Sequence, residues 1–212
     1  MVFKMQFQMK EGMKMSSQEI KRKLIENTKI LIQKNATVTI KDIAEASFVN
    51  IAAVNYHFGS KEKLMKIVIE EVLKELKEYV TEQVIKVKDN QSIEQKLEKM
   101  MTYIYNFSLE NVGLLNYLFL SQEIQSESSS MLIDNFFADN EFTKLIYKSL
   151  EQTTDTHNQK ELFAKYILLF SSFCIPLFIQ ISQMKLHGSM RIEMFKDPEF
   201  RQYYIKNIMK MA

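Results

Sequence analysis

An all-α chain is predicted from three observations. The 212 residues include only 4 Gly and 2 Pro, too few for the tight turns of a sandwich, a barrel or a doubly wound sheet. Ser or Thr is followed three residues later by an acidic residue or Gln at Ser16–Glu19, Thr39–Asp42 and Ser92–Gln95, the reciprocal pairing that caps helix N-termini. Between these caps apolar residues return at the 3.6-residue period of one helix face, and no stretch alternates as a strand would. With 46% hydrophobic and 25% charged residues, the composition is that of a globular protein.

The elements follow in order. Residues 1–15, MVFKMQFQMKEGMKM, lack an apolar run of signal-peptide length and are read as a disordered extension. Met1, Met13 and Met15 are alternative starts. A first helix opens at Ser16, buries the stripe Leu24, Thr28, Leu31 and Ile32, and ends near Asn35-Ala36. A second runs from the Thr39 cap through Ile40, Ile43 and Ala44. A third starts at the Asn50 cap and reaches Phe58. Only Ser47 to Val49 separates the last two, so they must cross steeply, which is helix-turn-helix geometry. Small Ala44 permits the close approach, and Ile43, Val49, Val54 and Phe58 fill the space beneath. From Ser60, the stripe Leu64, Ile67, Val68, Val72, Leu76, Val80, Val84 and Val87 sustains one long helix of roughly six or more turns. Tyr103, Phe107, Leu114, Leu115, Leu118 and Phe119 mark the next helical region. SESSS at 126–130 and TTDTHN at 153–158 are expected as loops. An apolar helix near 159–186 and a last one begun by Asp197-Pro198 close the chain.

Charge divides the chain. Residues 1–66 carry 12 Lys/Arg against 6 Asp/Glu, and residues 67–212 carry 16 against 20. A basic front on an acidic body suits a chain whose N-terminal part meets a polyanion. With Val54 and Phe58 turned inward, Ile51, Ala52, Asn55 and Tyr56 face other ways. Asn55 matches the N6/N7 edge of adenine, and Ile51 or Ala52 the methyl of thymine. Tyr56, His57 and Lys61 offer donors to phosphate oxygens, and Thr39 and Lys41 sit at a helix N-terminus, which favours an anion.

Other chemistry finds few residues. The single Cys174 excludes an internal disulfide and a thiolate zinc site, and fits a reducing cytoplasm. His157 and His187 have no second ligand at metal spacing. No Gly-rich phosphate loop or nucleophile elbow is present, so neither an enzyme, a metal nor a cofactor is expected. Tyr166–Met184 is 19 residues without a charge, close to bilayer-spanning length. Its Ser171, Ser172, Gln180, Ser182, Gln183 and Pro176 favour a helix buried in a bundle. A membrane-associated protein anchored by this segment, and a helical ligand-binding module without DNA activity, are the alternative readings.

The run TIKDIAEASFVNIAAVNYHFGSKEKL, Thr39–Leu64, resembles the DNA-binding segment of the TetR/AcrR family of transcriptional repressors. Asp42-Ile43-Ala44 opens its second helix, Tyr56-His57-Phe58 ends its third, and Ser60-Lys61-Glu62 opens the fourth. Phe48 stands where that family usually has Gly. It either occupies a left-handed backbone position, at a cost of about 1 kcal/mol, or packs against the body in a different turn. Asn35-Ala36 replaces the Gly closing the first helix, and Asn55 replaces a frequent Tyr. The resemblance implies a helix-turn-helix head over residues 16–62 and a regulatory and dimerisation body over 63–212, joined by the long helix. It implies a ligand-responsive, cytoplasmic repressor that binds a palindromic double-stranded operator as a homodimer, with the long helix carrying the displacement. The expected DNA contacts are Thr39, Lys41, Asn50, Ile51, Ala52, Asn55, Tyr56, His57 and Lys61. A hydrophobic or aromatic effector is expected among Tyr103, Phe107, Tyr117, Phe119, Phe137 and Phe170, and the dimer bundle is expected from the apolar helix near 159–186, with Phe170 and Phe173 in the interface, together with the terminal helix from Pro198.

Overall fold

The computed structural model describes residues 16–35, 37–119, 125–186 and 193–211. The extension 1–15, Ala36 and His187 fall outside them. Every regular element among the described residues is a helix: α1 (Ser17–Lys34), α2 (Ile40–Ser47), α3 (Ile51–Phe58), α4 (Lys61–Glu78) continued by a π-helical stretch (Tyr79–Ile85), α5 (Ile93–Glu110), α6 (Val112–Phe119), α7 (Gln125–Phe136), α8 (Glu141–Thr154), α9 (Gln159–Leu186), α10 (Glu193–Lys196) and α11 (Pro198–Met211).

The capping signals act as read. Ser16 N–H donates to Glu19 Oε2 at 2.7 Å while Glu19 N–H donates to Ser16 Oγ at 3.2 Å, and Ser92 and Gln95 repeat the exchange at 2.8 and 3.2 Å. In α1 the side chains of Leu24, Thr28 and Ile32 are fully buried. The long helix departs from its expected regularity. Leu76, Val80 and Val84 recur at steps of four, wider than the α-helical 3.6, and the looser π coil keeps all three buried. Tyr79, at the start of that stretch, stacks on Tyr103 of α5 with ring centroids 3.9 Å apart.

Three expectations need correction. Residues 126–130 are not a loop but part of α7; burial of Met131 and the packing of Leu132 and Phe136 into the core outweigh the turn preference of Ser. Thr153 and Thr154 belong to α8, which ends only at Asp155 in a left-handed conformation, φ 50°. Phe170 and Phe173 do not lie on the outer side of α9. Both are half-buried and turn inward, while Phe163, Ile167, Leu168, Ile175 and Phe178 are exposed.

α9 also runs through Pro176, which has no N–H to give the Ser172 carbonyl. The Tyr204 hydroxyl of α11 donates to that carbonyl instead, so the proline ties two body helices together. Among the described residues no helix is long and apolar enough to cross a membrane.

Two apolar clusters result. One joins Leu24, Ile43, Val54 and Phe58 of the first three helices to Leu64 and Val68 of α4 and to Leu114, Tyr117 and Leu118 of α6. The other gathers the far end of the α4 stripe with α5, α8, α9 and α11. α6 reaches the first cluster because Gly113 has no side chain. A Cβ there would stand 2.1 Å from the carbonyl oxygens of both Ile32 and Asn35 at the end of α1.

Candidate nucleic-acid interface and apolar cavity

α2 opens on a closed capping box. Thr39 N–H and Oγ1 donate to Asp42 Oδ2 at 2.8 and 2.7 Å, and Asp42 N–H returns a bond to Thr39 Oγ1 at 3.1 Å. These bonds, the backbone one first, hold the Asp42 carboxyl below the usual carboxylate range. Lys41 is exposed and lies 3.7 Å from Glu45. α2 ends at Phe48, at φ 55° and ψ 40°; of the two readings of this turn, the left-handed one holds, and the ring is 88% exposed. Asn50 then caps α3, its Oδ1 accepting the Ala52 N–H at 2.9 Å.

Val54 and Phe58 are buried; Ala52, Asn55 and Tyr56 turn away from that side of α3, and Ile51 flanks it at the open first turn. Ile51, Ala52, Asn55 and Tyr56 are all exposed, Tyr56 to 83%. His57 is half-buried and meets the Tyr56 ring edge-on at 5.0 Å. α3 stops at Gly59, whose φ of +80° suits the missing side chain. Ser60 Oγ caps α4 by accepting the Lys63 N–H at 3.3 Å. Lys61 is half-buried and its Nζ donates to the Val38 carbonyl at 3.3 Å. The Thr39 hydroxyl and the Asn50 amide oxygen are engaged in their caps, so what these positions present to an anion is a helix N-terminus rather than a loose side chain.

Two cations of α1 escaped the sequence reading. Lys23 Nζ lies 5.1 Å over the Phe48 ring and Lys21 Nζ 5.6 Å over Phe58. The Lys21-Arg22-Lys23 run was visible in the charge count, but only the fold sets it beside the aromatics of the turn and of α3.

Behind α6 lies an apolar cavity, part of it continuous with solvent. Three of the expected effector contacts, Phe107, Phe119 and Phe170, are in its lining, with Phe136, Phe142 and Phe173. Tyr103, Tyr117 and Phe137 lie outside this lining: Tyr103 stacks on Tyr79, Tyr117 faces the first three helices, and Phe137 packs edge-on against Phe170 from without. Among the described residues no charged side chain belongs to the wall. Its polar groups are turned to backbone: Ser108 Oγ donates to Ile104 O at 2.8 Å, and the Tyr166 hydroxyl donates to Phe136 O. Burial pushes the Tyr166 hydroxyl and the Cys174 thiol up, so both stay neutral. The described wall thus offers apolar contact and ring packing.

Comparison with known proteins agrees with this geometry. Residues 29–68 match the family described as bacterial regulatory proteins, tetR family. No curated protein sequence matches the chain. Among solved structures, a protein from a Shewanella species described as a tetR-family transcription regulator superposes with a TM-score of 0.58 at 11% identity, over 91% of this chain and 97% of its own. One from Mesorhizobium loti, of like description, gives 0.58 at 14% identity over 93% and 98%. RolR, in complex with resorcinol, gives 0.53 at 13% identity over 92% and 88%. Identities this low show a shared fold.

Proposed function

The chain carries the helix-turn-helix segment of the bacterial tetR-family regulators on that family's fold, and from this premise we propose that it is a ligand-responsive repressor that binds a palindromic operator as a homodimer. Residues 16–62 serve as the DNA-binding head and 63–212 as the regulatory and dimerisation body. The observation that carries the reading is the outward face of α3, where Ile51, Ala52, Asn55 and Tyr56 stand exposed within the basic third of the chain. α3 enters the major groove by this face. Asn55 reads a base edge, and Tyr56 and His57 hold the flanking phosphates. Thr39, Lys41 and Asn50 contact the backbone around the two helix N-termini, and Lys61 supports the same rim from its seat on Val38. The effector is an uncharged apolar or aromatic molecule, which the walls of the cavity favour; the fold neighbour RolR holds resorcinol, a small aromatic.

The test is retention of genomic DNA fragments by the full-length protein. A short set of fragments sharing an inverted repeat is expected. Tyr56→Ala weakens binding to all DNA and leaves the salt slope unchanged, because a neutral hydroxyl displaces no counterion, whereas Asn55→Ala relaxes preference at one base pair of each half-site. Failure to retain any fragment overturns the reading.

A further inference from the structure

We propose that Phe48 and Lys23 form a clamp on the DNA backbone at the leading end of α3, the ring lying on a deoxyribose and the ammonium meeting the phosphate beside it. This deepens the reading of the chain as a DNA-binding protein and rests on it. Phe48 holds φ 55° and ψ 40°, a conformation that glycine takes freely and a bulky side chain resists. Inside the chain the ring gains little in return. It is 88% exposed and belongs to neither apolar cluster of the described residues. Strained backbone persists where the surrounding structure fixes it, and it gathers at surfaces that clamp a ligand.

The turn is fixed from behind. Phe48 N–H donates to the Glu45 carbonyl at 3.1 Å and Val49 N–H to the Ala44 carbonyl at 3.0 Å, which ties both residues to the end of α2. From α1, Lys23 Nζ stands 5.1 Å from the ring centroid. Lys23 is half-buried and follows the phase of fully buried Leu24, so its stem leaves a fixed point and its charged end reaches out to the ring. Two residues beyond Phe48, Asn50 caps α3. A recognition helix reads the major groove with its N-terminal residues, so a side chain just ahead of the cap meets the rim of the groove, where each strand alternates sugar and phosphate. An apolar ring beside a cation is the complement of an apolar sugar beside an anion. Contacts of this kind fix the register of the head without reading sequence. Both residues lie outside the contacts expected from the sequence, Phe48 because a ring in a glycine position reads first as strain, and Lys23 because only the fold brings α1 to the turn.

The experiment is fluorescence anisotropy of the full-length protein over a sodium chloride series with two labelled duplexes, one carrying the inverted repeat of the retained fragments and one a scramble of it. Phe48→Asn is expected to weaken binding to both duplexes about tenfold for each head engaged, as roughly half a phenyl ring loses its cover. Its salt slope stays that of the wild type, because a neutral ring displaces no counterion. Asn takes the left-handed position more readily than Phe, so the loss does not come from the turn. Phe48→Tyr, which keeps the ring, binds as the wild type does. Lys23→Gln lowers the slope by about 0.9 per head. Wild-type affinity for both duplexes in Phe48→Asn overturns the clamp, and so does an unchanged slope in Lys23→Gln; in either case retention of the fragments leaves the DNA-binding reading standing. A loss confined to the inverted repeat puts the ring on a base and overturns the backbone contact. A wild-type protein that binds neither duplex overturns the DNA-binding reading and the clamp together.

Discussion

Phe48 holds a backbone conformation that bulky side chains avoid, at φ 55°, and its ring is 88% exposed. The left-handed position costs roughly 1–2 kcal/mol, while the Lys23 ammonium over the ring returns about 0.5–1 kcal/mol at an exposed site. Glycine would remove both effects and add about 0.5–1 kcal/mol of lost chain entropy. These contributions nearly cancel, so Phe48→Gly is expected to melt within about 3 °C of the wild type or above it. Truncating a buried aromatic such as Phe58 costs about 3–5 kcal/mol by contrast, and 1 kcal/mol moves the midpoint of a protein this size by about 2–4 °C. Thermal unfolding followed by circular dichroism checks this, and a fall beyond about 5 °C would mean that the ring packs on something. The sequence left two readings of this turn open because a Phe in a Gly position predicts strain and repacking equally well. Asn55 and Tyr56 were easier, since two buried partners, Val54 and Phe58, fix the phase of an eight-residue helix.

At the scale of elements, what could be read was whatever is written locally. Each capping box lies within four residues, and the α1 stripe declares its own period. The π-helical stretch was hidden because a step of four between apolar residues still counts as helical periodicity. The start of α7 was hidden because its serines are turn formers whose helix is decided by Met131 and Phe136 further on. Long-range hydroxyl bonds left no mark at all. Tyr105 of α5 is such a case: its hydroxyl donates to the Phe195 carbonyl of α10 at 2.8 Å. Burial pushes it from 10.0 up to about 12, with the neighbouring Tyr204 adding to the rise. A group raised in the folded state stabilises fully below its unfolded value and loses that contribution as pH climbs through the folded one. Stability is therefore expected to hold to about pH 10 and to fall between 10 and 12. Tyr204, raised chiefly by its own burial, shares in the loss. Tyr105→Phe should flatten that fall in a pH series of denaturant midpoints, at a roughly constant cost near neutrality of about 1–3 kcal/mol for the unpaired Phe195 carbonyl. An identical alkaline profile in the variant would remove Tyr105 from the account.

At the scale of the molecule, α9 explains both what the sequence misplaced and what a second copy would cover. A helix apolar on both sides carries no amphipathic signal to separate its core face from its partner face, so Phe170 was assigned to two roles and Phe173 to the wrong side. The structure separates them: Phe170 and Phe173 line the cavity, and Leu168, Ile175 and Phe178 stand 53%, 63% and 53% exposed on the other side. Ser171 lies between Leu168 and Ile175, and Ala164 one turn before Leu168, both exposed and small enough for another helix to approach closely. An apolar stripe of this length on a monomer marks an interface, and a two-fold axis through it would bury each residue twice. The proposed operator symmetry needs that axis, because only a fixed pair of heads meets two half-sites one helical turn apart, about 34–36 Å. Leu168→Glu and Ile175→Glu should each raise the dimer dissociation constant at least a hundredfold. Every dimer would gain two buried carboxylates and lose about 1.5–3 kcal/mol of apolar burial from each replaced side chain. The monomer should keep its helicity, since neither side chain packs within it. Sedimentation equilibrium reads the first effect and circular dichroism the second. Operator binding should fall with the dimer while the weak, salt-sensitive attraction of the basic head for any DNA persists. A dimer intact in both variants would move the two-fold axis off α9 and leave the exposed stripe to another partner.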